Sequence, residues 1–197
     1  MTSPMSNPSI NIRGLTFLVA DPHAYLSSIW SSTLRGFGAN QVIEVRDASE
    51  ASEALTQYKV DLLLCDAKLP PVDGLKFAHS IRWNKDSNFR TIPILMMTND
   101  TRSTAIAKAR DCGANMIVVK PLSPANLYDH LVWVAFNSRK FVDSPNYFGP
   151  DRRFKIEGFP GGVGRRKSDK PADLGEATGP AISQIDIDNL HNAARNG

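Results

Sequence analysis

Five short apolar runs, each followed by a stretch of helical periodicity, constrain the fold of this chain more than any other feature. The runs lie at residues 15–20, 41–45, 61–65, 92–97 and 116–119, and the helical patterns begin near residues 23, 48, 74, 101 and 123. The runs are continuous rather than alternating, which is typical of parallel strands with helices on both faces. The sequence therefore predicts an α/β fold built on a doubly wound, five-stranded parallel sheet.

Local signals set some boundaries of these elements. Pro93 lies near the beginning of the fourth run, where a missing backbone donor is tolerated. The fourth helix is predicted at Thr101–Asp111, with Asp100 or Thr101 as its cap, and Ser123 is predicted to cap the fifth helix.

The five strand–helix units fill residues 14–137 of the 197-residue chain. Residues 1–13 are polar and predict a disordered lead without the apolar core of a signal peptide. Residues 138–181 show no periodicity and predict a largely disordered basic linker, and residues 182–197 predict a short amphipathic helix. No run approaches the roughly 18 apolar residues of a membrane span.

Charge and cysteine content narrow the class of protein. A net charge of +3 does not by itself indicate a nucleic-acid partner, although residues 138–170 hold nine basic and four acidic residues. No helix-turn-helix pattern is evident, so a DNA-binding output domain is not expected. Cys65 and Cys112 lack the paired spacing of a zinc site, and we expect reduced, packed thiols and a cytoplasmic protein.

Polar residues stand where four of the predicted strands end. These residues are Asp21, Asp66, Thr98 and Lys120. Each could be an ordinary turn acid, helix cap or surface lysine. Functional groups of doubly wound sheets, however, lie at the carboxyl ends of the strands, so we expect the four to converge at one edge.

This set of groups supports phosphoryl transfer to a carboxylate. Asp66 would be the nucleophile on a rigid strand end. Lys120 would neutralise one phosphoryl oxygen, and the Thr98 hydroxyl would donate a hydrogen bond to another. Mg²⁺ would bridge a third oxygen, held by the acids at the first and third strand ends and by water.

The chain resembles a known family in the blocks FLVAD, LLLCDAKLPPVDGLKFAHSIR, IPILMMTND and DCGANMIVVKP. These blocks fall in the order and spacing of the receiver domains of two-component response regulators, the family that includes the chemotaxis protein CheY. The resemblance covers about residues 14–137. It implies a flavodoxin-like sheet with strand order 2-1-3-4-5.

The resemblance also implies roles for single residues. Asp66 would be the phosphoacceptor, Thr98 the switch hydroxyl and Lys120 the lysine that contacts the phosphoryl group. Mg²⁺ would be bound by Asp21, Asp66 and the Lys68 backbone carbonyl. The peptide before Pro121 would be cis.

Three positions depart from the family pattern. Pro22 stands where receivers carry a second acid, which is usually the direct metal ligand, so Mg²⁺ should bind more weakly here. Ile117 occupies the position of the switch aromatic residue. Asn99 follows Thr98, where small residues are common.

Two segments beyond the fifth helix carry possible interaction residues. Tyr147, Phe148, Arg152 and Arg153 belong to YFGPDRR, which resembles a tag seen after some stand-alone bacterial receivers. It could dock on an acidic groove or on the receiver itself, or be a solvated basic tail. Ile185 and Leu190 lie in a segment that partly resembles the receiver-docking peptide of flagellar switch proteins, with an inert terminus as the alternative.

These observations predict a signalling module rather than an enzyme. We expect a single-domain response regulator that is phosphorylated on Asp66 by a histidine kinase or phosphotransfer protein. It would signal by contact with a downstream protein, with a flagellar or chemotaxis component as one candidate. The alternative, motivated by Pro22, is a phosphorylation-independent receiver used as a binding or scaffold module.

Overall fold

Strands and helices alternate strictly through the first ten elements of the structure, a computed structural model that describes residues 10–137 and 139–152. The strands are β1 (Thr16–Ala20), β2 (Gln41–Val45), β3 (Leu62–Asp66), β4 (Ile94–Thr98) and β5 (Met116–Val119). The helices are α1 (Ala24–Gly36), α2 (Ala48–Gln57), α3 (Gly74–Trp83), α4 (Ser103–Asp111) and α5 (Pro124–Phe136). Within the described residues, no helix is both long enough and apolar enough to cross a membrane.

The five strands pair in parallel in the order β2-β1-β3-β4-β5. This order confirms the predicted doubly wound, flavodoxin-like sheet. The register sets Ala20 beside Cys65, Asp66 beside Met97 and Thr98 beside Val119. The strand ends that carry the polar residues are therefore aligned along one edge.

A hydrophobic core covers each face of the sheet. On β3, Leu63 and Cys65 belong to the cluster that includes residues of α2 and α3. Leu62 and Leu64 belong to the opposite cluster, which includes residues of α1 and α5. Full burial of each such leucine contributes about 1.5–3 kcal/mol, so β3 is held rigidly from both sides.

Two boundaries differ from the prediction by two residues, and others by one. The fourth strand begins at Ile94 rather than Ile92, because the carbonyl of Pro93 accepts from Leu63 while Pro93 itself has no donor. Helix α4 begins at Ser103, and its N-cap is Arg102 without a side-chain cap. The predicted caps are therefore wrong: Asp100 accepts from the Arg102 backbone N–H and also pairs with the Arg102 side chain, which lowers the Asp100 pKa to about 2. Ser123 caps α5 as predicted, since its hydroxyl accepts from Asn126.

A β-hairpin follows the fifth helix, where the sequence predicted a linker. Strands β6 (Phe141–Ser144) and β7 (Tyr147–Pro150) pair antiparallel, and all four residues of β7 are buried. The Tyr147 hydroxyl donates to the Pro150 carbonyl at 2.7 Å. The prediction of linker or disorder is thus wrong for residues 141–150, whereas residues 153–181 and the predicted helix at 182–197 lie outside the described residues.

The hairpin packs beside a buried arginine at the edge where the strands begin. Arg82 is 0% exposed and donates to the carbonyls of Gly113, Arg90 and Ile92 and to the Asn115 side chain, at 2.7–3.0 Å. Its guanidinium lies 5.1 Å from the centroid of the Phe141 ring. Burial lowers the pKa of Arg82 to about 10. Hydrogen bonds to this many acceptors offset the cost of removing the charge from water.

Cys112, which follows α4, makes the stability of the fold depend on pH. Burial raises the pKa of its thiol from 9.0 to about 11. The unfolded thiol ionises above pH 9 while the folded thiol stays neutral, so the stabilisation is complete below pH 9 and is lost as the pH rises through 11.

Between pH 8 and 10 we expect the native protein to lose about 1 kcal/mol more unfolding free energy than Cys112→Ala, as measured by urea denaturation. Cys65 is present in both proteins and cannot cause a difference between them. Equal losses of unfolding free energy in the two proteins would contradict the attribution of this pH dependence to Cys112.

Candidate functional site

The four strand-end residues predicted from the sequence meet at one edge of the sheet. Asp66 and Thr98 are the last residues of β3 and β4, while Asp21 and Lys120 directly follow β1 and β5. The backbone N–H of Lys120 donates to the Thr98 carbonyl at 2.8 Å, which fixes the β5 end against the β4 end. The peptide between Lys120 and Pro121 is cis, as the family resemblance implied.

Lys120 joins the two acids. Its Nζ donates to Asp21 Oδ2 at 2.7 Å and to Asp66 Oδ2 at 2.5 Å. The side chains of Asp21, Asp66 and Lys120 are 0%, 8% and 7% exposed. Burial lowers the Lys120 pKa, but the hydrogen bonds to Asp21 and Asp66 outweigh this effect and raise it, so the lysine is charged. Two carboxylates thus share one ammonium group, and the cluster carries a net negative charge.

Backbone donors hold the remaining carboxylate oxygens. Asp66 Oδ1 accepts from the Lys68 N–H at 2.6 Å, and Asp21 Oδ1 accepts from the His23 N–H at 2.9 Å. Gly74 lets the start of α3 lie directly against the Asp66 backbone, because a Cβ at this position would collide with the Asp66 carbonyl. Asp66 is therefore fixed through both its side chain and its main chain.

Thr98 is nearly buried and already makes one hydrogen bond. Its Oγ1 accepts from the Asp100 N–H at 3.0 Å, which anchors the loop that leads into α4. That bond uses an oxygen lone pair, so the hydroxyl hydrogen can be donated to a further acceptor. Ile117, the predicted switch position, is half-buried on β5 beside Met96.

The acids suit a hard cation such as Mg²⁺, which takes one or two protein carboxylates and keeps several waters. Asp21 and Asp66 supply these carboxylates, whereas Pro22 supplies no side-chain oxygen. Among the described residues, no group of three or more His, Cys, Asp or Glu side chains could hold a metal ion. The two carboxylates at this edge, Asp21 and Asp66, fit the donor set that Mg²⁺ prefers, and the Lys68 backbone carbonyl stays a predicted ligand.

Three residues around the acids were not predicted from the sequence. His23 places Nδ1 3.3 Å from Asp21 Oδ1, and Arg46 Nη1 donates to the Asp21 carbonyl at 3.4 Å. Gly74 makes the close approach to Asp66 described above. The sequence could have indicated both residues, because His23 lies in the loop after β1, Arg46 directly follows β2, and the two strands end at the same edge.

Three of the predicted tail residues fall within the described part of the chain, and all three lie away from this site. Tyr147 and Phe148 lie on β7 of the hairpin, and Arg152 follows two residues after it. The segment packs near Asn115 just before β5, at the opposite edge of the sheet. This supports docking on the domain itself rather than a solvated tail. Arg153, Ile185 and Leu190 lie outside the described residues.

Comparison with known proteins agrees with this geometry. The response regulator receiver domain family matches residues 17–132. The chain belongs to this family. Receiver domains are signalling modules that bind Mg²⁺ and interact with histidine kinases and downstream targets.

Curated relatives include a chemotaxis protein. The chain is 30% identical to CheY1 of Helicobacter pylori over 118 residues, which cover 59% of this chain and 94% of that protein. It is 25% identical to the sensory/regulatory protein RpfC of Xanthomonas campestris over 141 residues, 72% of this chain. That alignment covers only 19% of RpfC.

Solved structures share the fold. CheY4 of Vibrio cholerae superposes with a TM-score of 0.55 at 26% identity, covering 59% of this chain and 95% of that one. The receiver domain of the Pseudomonas aeruginosa histidine kinase PA1611 gives 0.54 at 24% identity and covers 61% and 95%. That structure has a magnesium ion in its active-site cleft.

Replacement of Lys120 tests the charge cluster. We expect Lys120→Met to lose about 3 kcal/mol of unfolding free energy at pH 7, because two buried carboxylates are left without their cation. Urea denaturation of the native protein and the variant measures this loss. Lys68→Met, at an exposed position, is the control, and an equal loss in the two variants would contradict the prediction.

Proposed function

We propose that Asp66 accepts a phosphoryl group and that the chain is a single-domain response regulator. The observation that carries the proposal is the shared contact of Lys120 Nζ with Asp21 and Asp66, at 2.7 and 2.5 Å. A fixed cation beside a nearly buried carboxylate supplies the charge that a phosphorylated aspartate needs. It also keeps Asp66 in one orientation before reaction.

The reaction would proceed by attack of an Asp66 carboxylate oxygen on the phosphorus of a phosphohistidine. The new O–P bond forms as the P–N bond breaks, and the departing imidazole takes up a proton. Lys120 would then donate to the phosphoryl group, and the Thr98 hydroxyl would donate its hydrogen to a second phosphoryl oxygen. Asp21 keeps Lys120 at the reaction centre throughout.

Asp21, Asp66 and the Lys68 backbone carbonyl would hold Mg²⁺. The ion, when bound, neutralises charge on the transferring phosphoryl group. With Pro22 in place of an acid, we propose that its affinity is low and that a high Mg²⁺ concentration is needed for full occupancy.

The partners of this reaction would be a histidine kinase or phosphotransfer protein and a downstream protein. Similarity to chemotaxis proteins favours a motility component as the target, and residues 182–197 are a candidate recruitment segment. With such partners, we propose that the protein works in the cytoplasm.

Labelling of Asp66 tests the proposal. Incubation with acetyl phosphate and Mg²⁺ should add one phosphoryl group, seen as a mass increase of the intact protein. The added mass should be absent in Asp66→Asn and retained in Asp86→Asn, whose carboxyl lies in the loop after α3. Equal labelling of Asp66→Asn would refute Asp66 as the acceptor, and an unlabelled native protein would refute the function.

A second candidate function is a phosphorylation-independent binding module, which Pro22 favours because it removes a metal ligand. Under this alternative, Asp66→Ala would keep its cellular activity with the fold intact. Under the proposal, that substitution abolishes activity.

Restoring the missing acid tests the proposed metal site. We expect Pro22→Asp to bind Mg²⁺ at least about tenfold more tightly, because it adds a hard oxygen ligand beside Asp21 and Asp66. NMR shifts of the Asp66 amide would measure the change. Pro22→Asn is the matched control for loss of the proline ring, and equal affinity in the two variants would contradict the site.

A further inference from the structure

Helix α4 buries few of its residues against the domain. Ala109 is the only fully buried residue among its nine, whereas α3 buries five of ten. Elements with few buried apolar residues shift or open at low free-energy cost. Contacts at the ends of α4 therefore have a large influence on its position.

The end of α4 nearest Asp66 is fixed through Thr98. The Asp100 N–H donates to Thr98 Oγ1, and Asp100 in turn holds the backbone and side chain of Arg102, the N-cap of the helix. If the Thr98 side chain turns to donate to a phosphoryl group, it changes the acceptor that positions this loop. The state of Asp66 is thereby connected to the start of α4.

The other end of α4 is fixed by the hairpin. Arg152 pairs with Asp111, the last residue of the helix, while its guanidinium lies 3.8 Å from the centroid of the Tyr147 ring. Just beyond the helix, the chain passes so close to β7 that a Cβ at Gly149 would stand 2.9 Å from the Gly113 Cα. A side chain at either glycine would push the two segments apart.

Further contacts anchor the hairpin to the neighbouring body of the domain. The Arg90 guanidinium lies 3.3 Å from the centroid of the Phe148 ring and within 3.7 Å of Asp143. Arg139 donates to the Asn115 carbonyl, directly before β5, and stacks near the Trp133 ring of α5. The hairpin is therefore attached to α3 and α5 while it holds the end of α4.

We propose that the hairpin with its flanking residues, together residues 139–152, is an intramolecular clamp on α4 that opposes loading of the Asp66 site. The inference rests on the proposed phosphorylation of Asp66. With the clamp in place, α4 keeps the position in which Thr98 accepts from Asp100. A phosphoryl group that turns the Thr98 side chain toward Asp66 moves Oγ1 away from the Asp100 N–H. Contacts that hold α4 in its present position therefore lower the affinity for the phosphoryl group.

Coupling of this kind is reciprocal. If the clamp lowers the affinity of Asp66 for a phosphoryl mimic, the mimic must weaken the clamp by the same factor. Loading would then loosen residues 139–152, which directly precede the remainder of the tail. The YFGPDRR motif would thus report the state of a site at the opposite edge of the sheet.

Titration with beryllofluoride, a phosphoryl mimic, at a fixed Mg²⁺ concentration tests the clamp in the full-length chain. We expect Arg152→Ala and Asp111→Ala each to bind the mimic about threefold more tightly, the size that one partly exposed ion pair allows. Their combination should give no further gain, because both remove the same contact. Lys140→Ala, which removes an equal charge from an exposed position in this segment, should bind like the native protein.

Phe148→Ala and hydrogen exchange provide independent readouts. Phe148→Ala removes the ring under Arg90, and we expect about tenfold tighter binding with the domain still folded by NMR. In the native protein, loading should speed exchange of the Asp151 amide, which donates to the Lys140 carbonyl at 2.9 Å.

The outcomes separate the clamp from the function on which it rests. Tighter binding in the Arg152 and Asp111 variants, together with faster hairpin exchange on loading, supports the clamp. Native binding that none of the hairpin variants alters, or that Lys140→Ala alters equally, overturns the clamp and leaves phosphorylation standing. If the native protein does not respond to the mimic at all, the proposed function and the clamp both fail.

Discussion

The ammonium group of Lys120 is the interaction on which the functional edge of this protein depends. It lies between two nearly buried carboxylates, Asp21 and Asp66, which without it would repel each other in a medium of low dielectric constant. The contact spans 99 residues of sequence to Asp21 and 54 to Asp66, and only the parallel sheet brings the three together. The net negative charge of these three side chains attracts cations, and the contact with Lys120 keeps Asp66 in one orientation before reaction.

The opposite edge of the sheet depends on a second buried cation. Arg82 is surrounded by backbone carbonyls rather than by acids, so its position is set by directional hydrogen bonds that connect α3 to the starts of β4 and β5. The hairpin covers this edge with aromatic rings that lie against Arg82 and Arg90. Helix α4 runs between the two edges and has one buried residue among its nine. Contacts made at either edge can therefore shift its position.

Elements marked by continuous apolar runs could be predicted from the sequence, and elements without such runs could not. Strands such as Leu62–Asp66 are buried on both faces, so their pattern gave the sheet, its helices and the strand-end position of Asp66. The hairpin was missed because its strands are four residues long and their burial comes from rings stacked on distant arginines, which leaves no period to detect. The caps of α4 were misassigned because Asp100 bonds to Arg102 and so moves the helix start. His23 and Arg46 acquire meaning only when β1 and β2 lie side by side.

The measurement that tests the central claim most directly is a crystal structure of the protein with beryllofluoride and Mg²⁺. The account predicts the mimic on an Asp66 carboxylate oxygen, with Lys120 Nζ and Thr98 Oγ1 both within hydrogen-bond distance of its fluorine atoms and Asp21 beside the metal. Binding of the mimic at another residue, or on Asp66 with Lys120 still paired only to the two carboxylates, would contradict it.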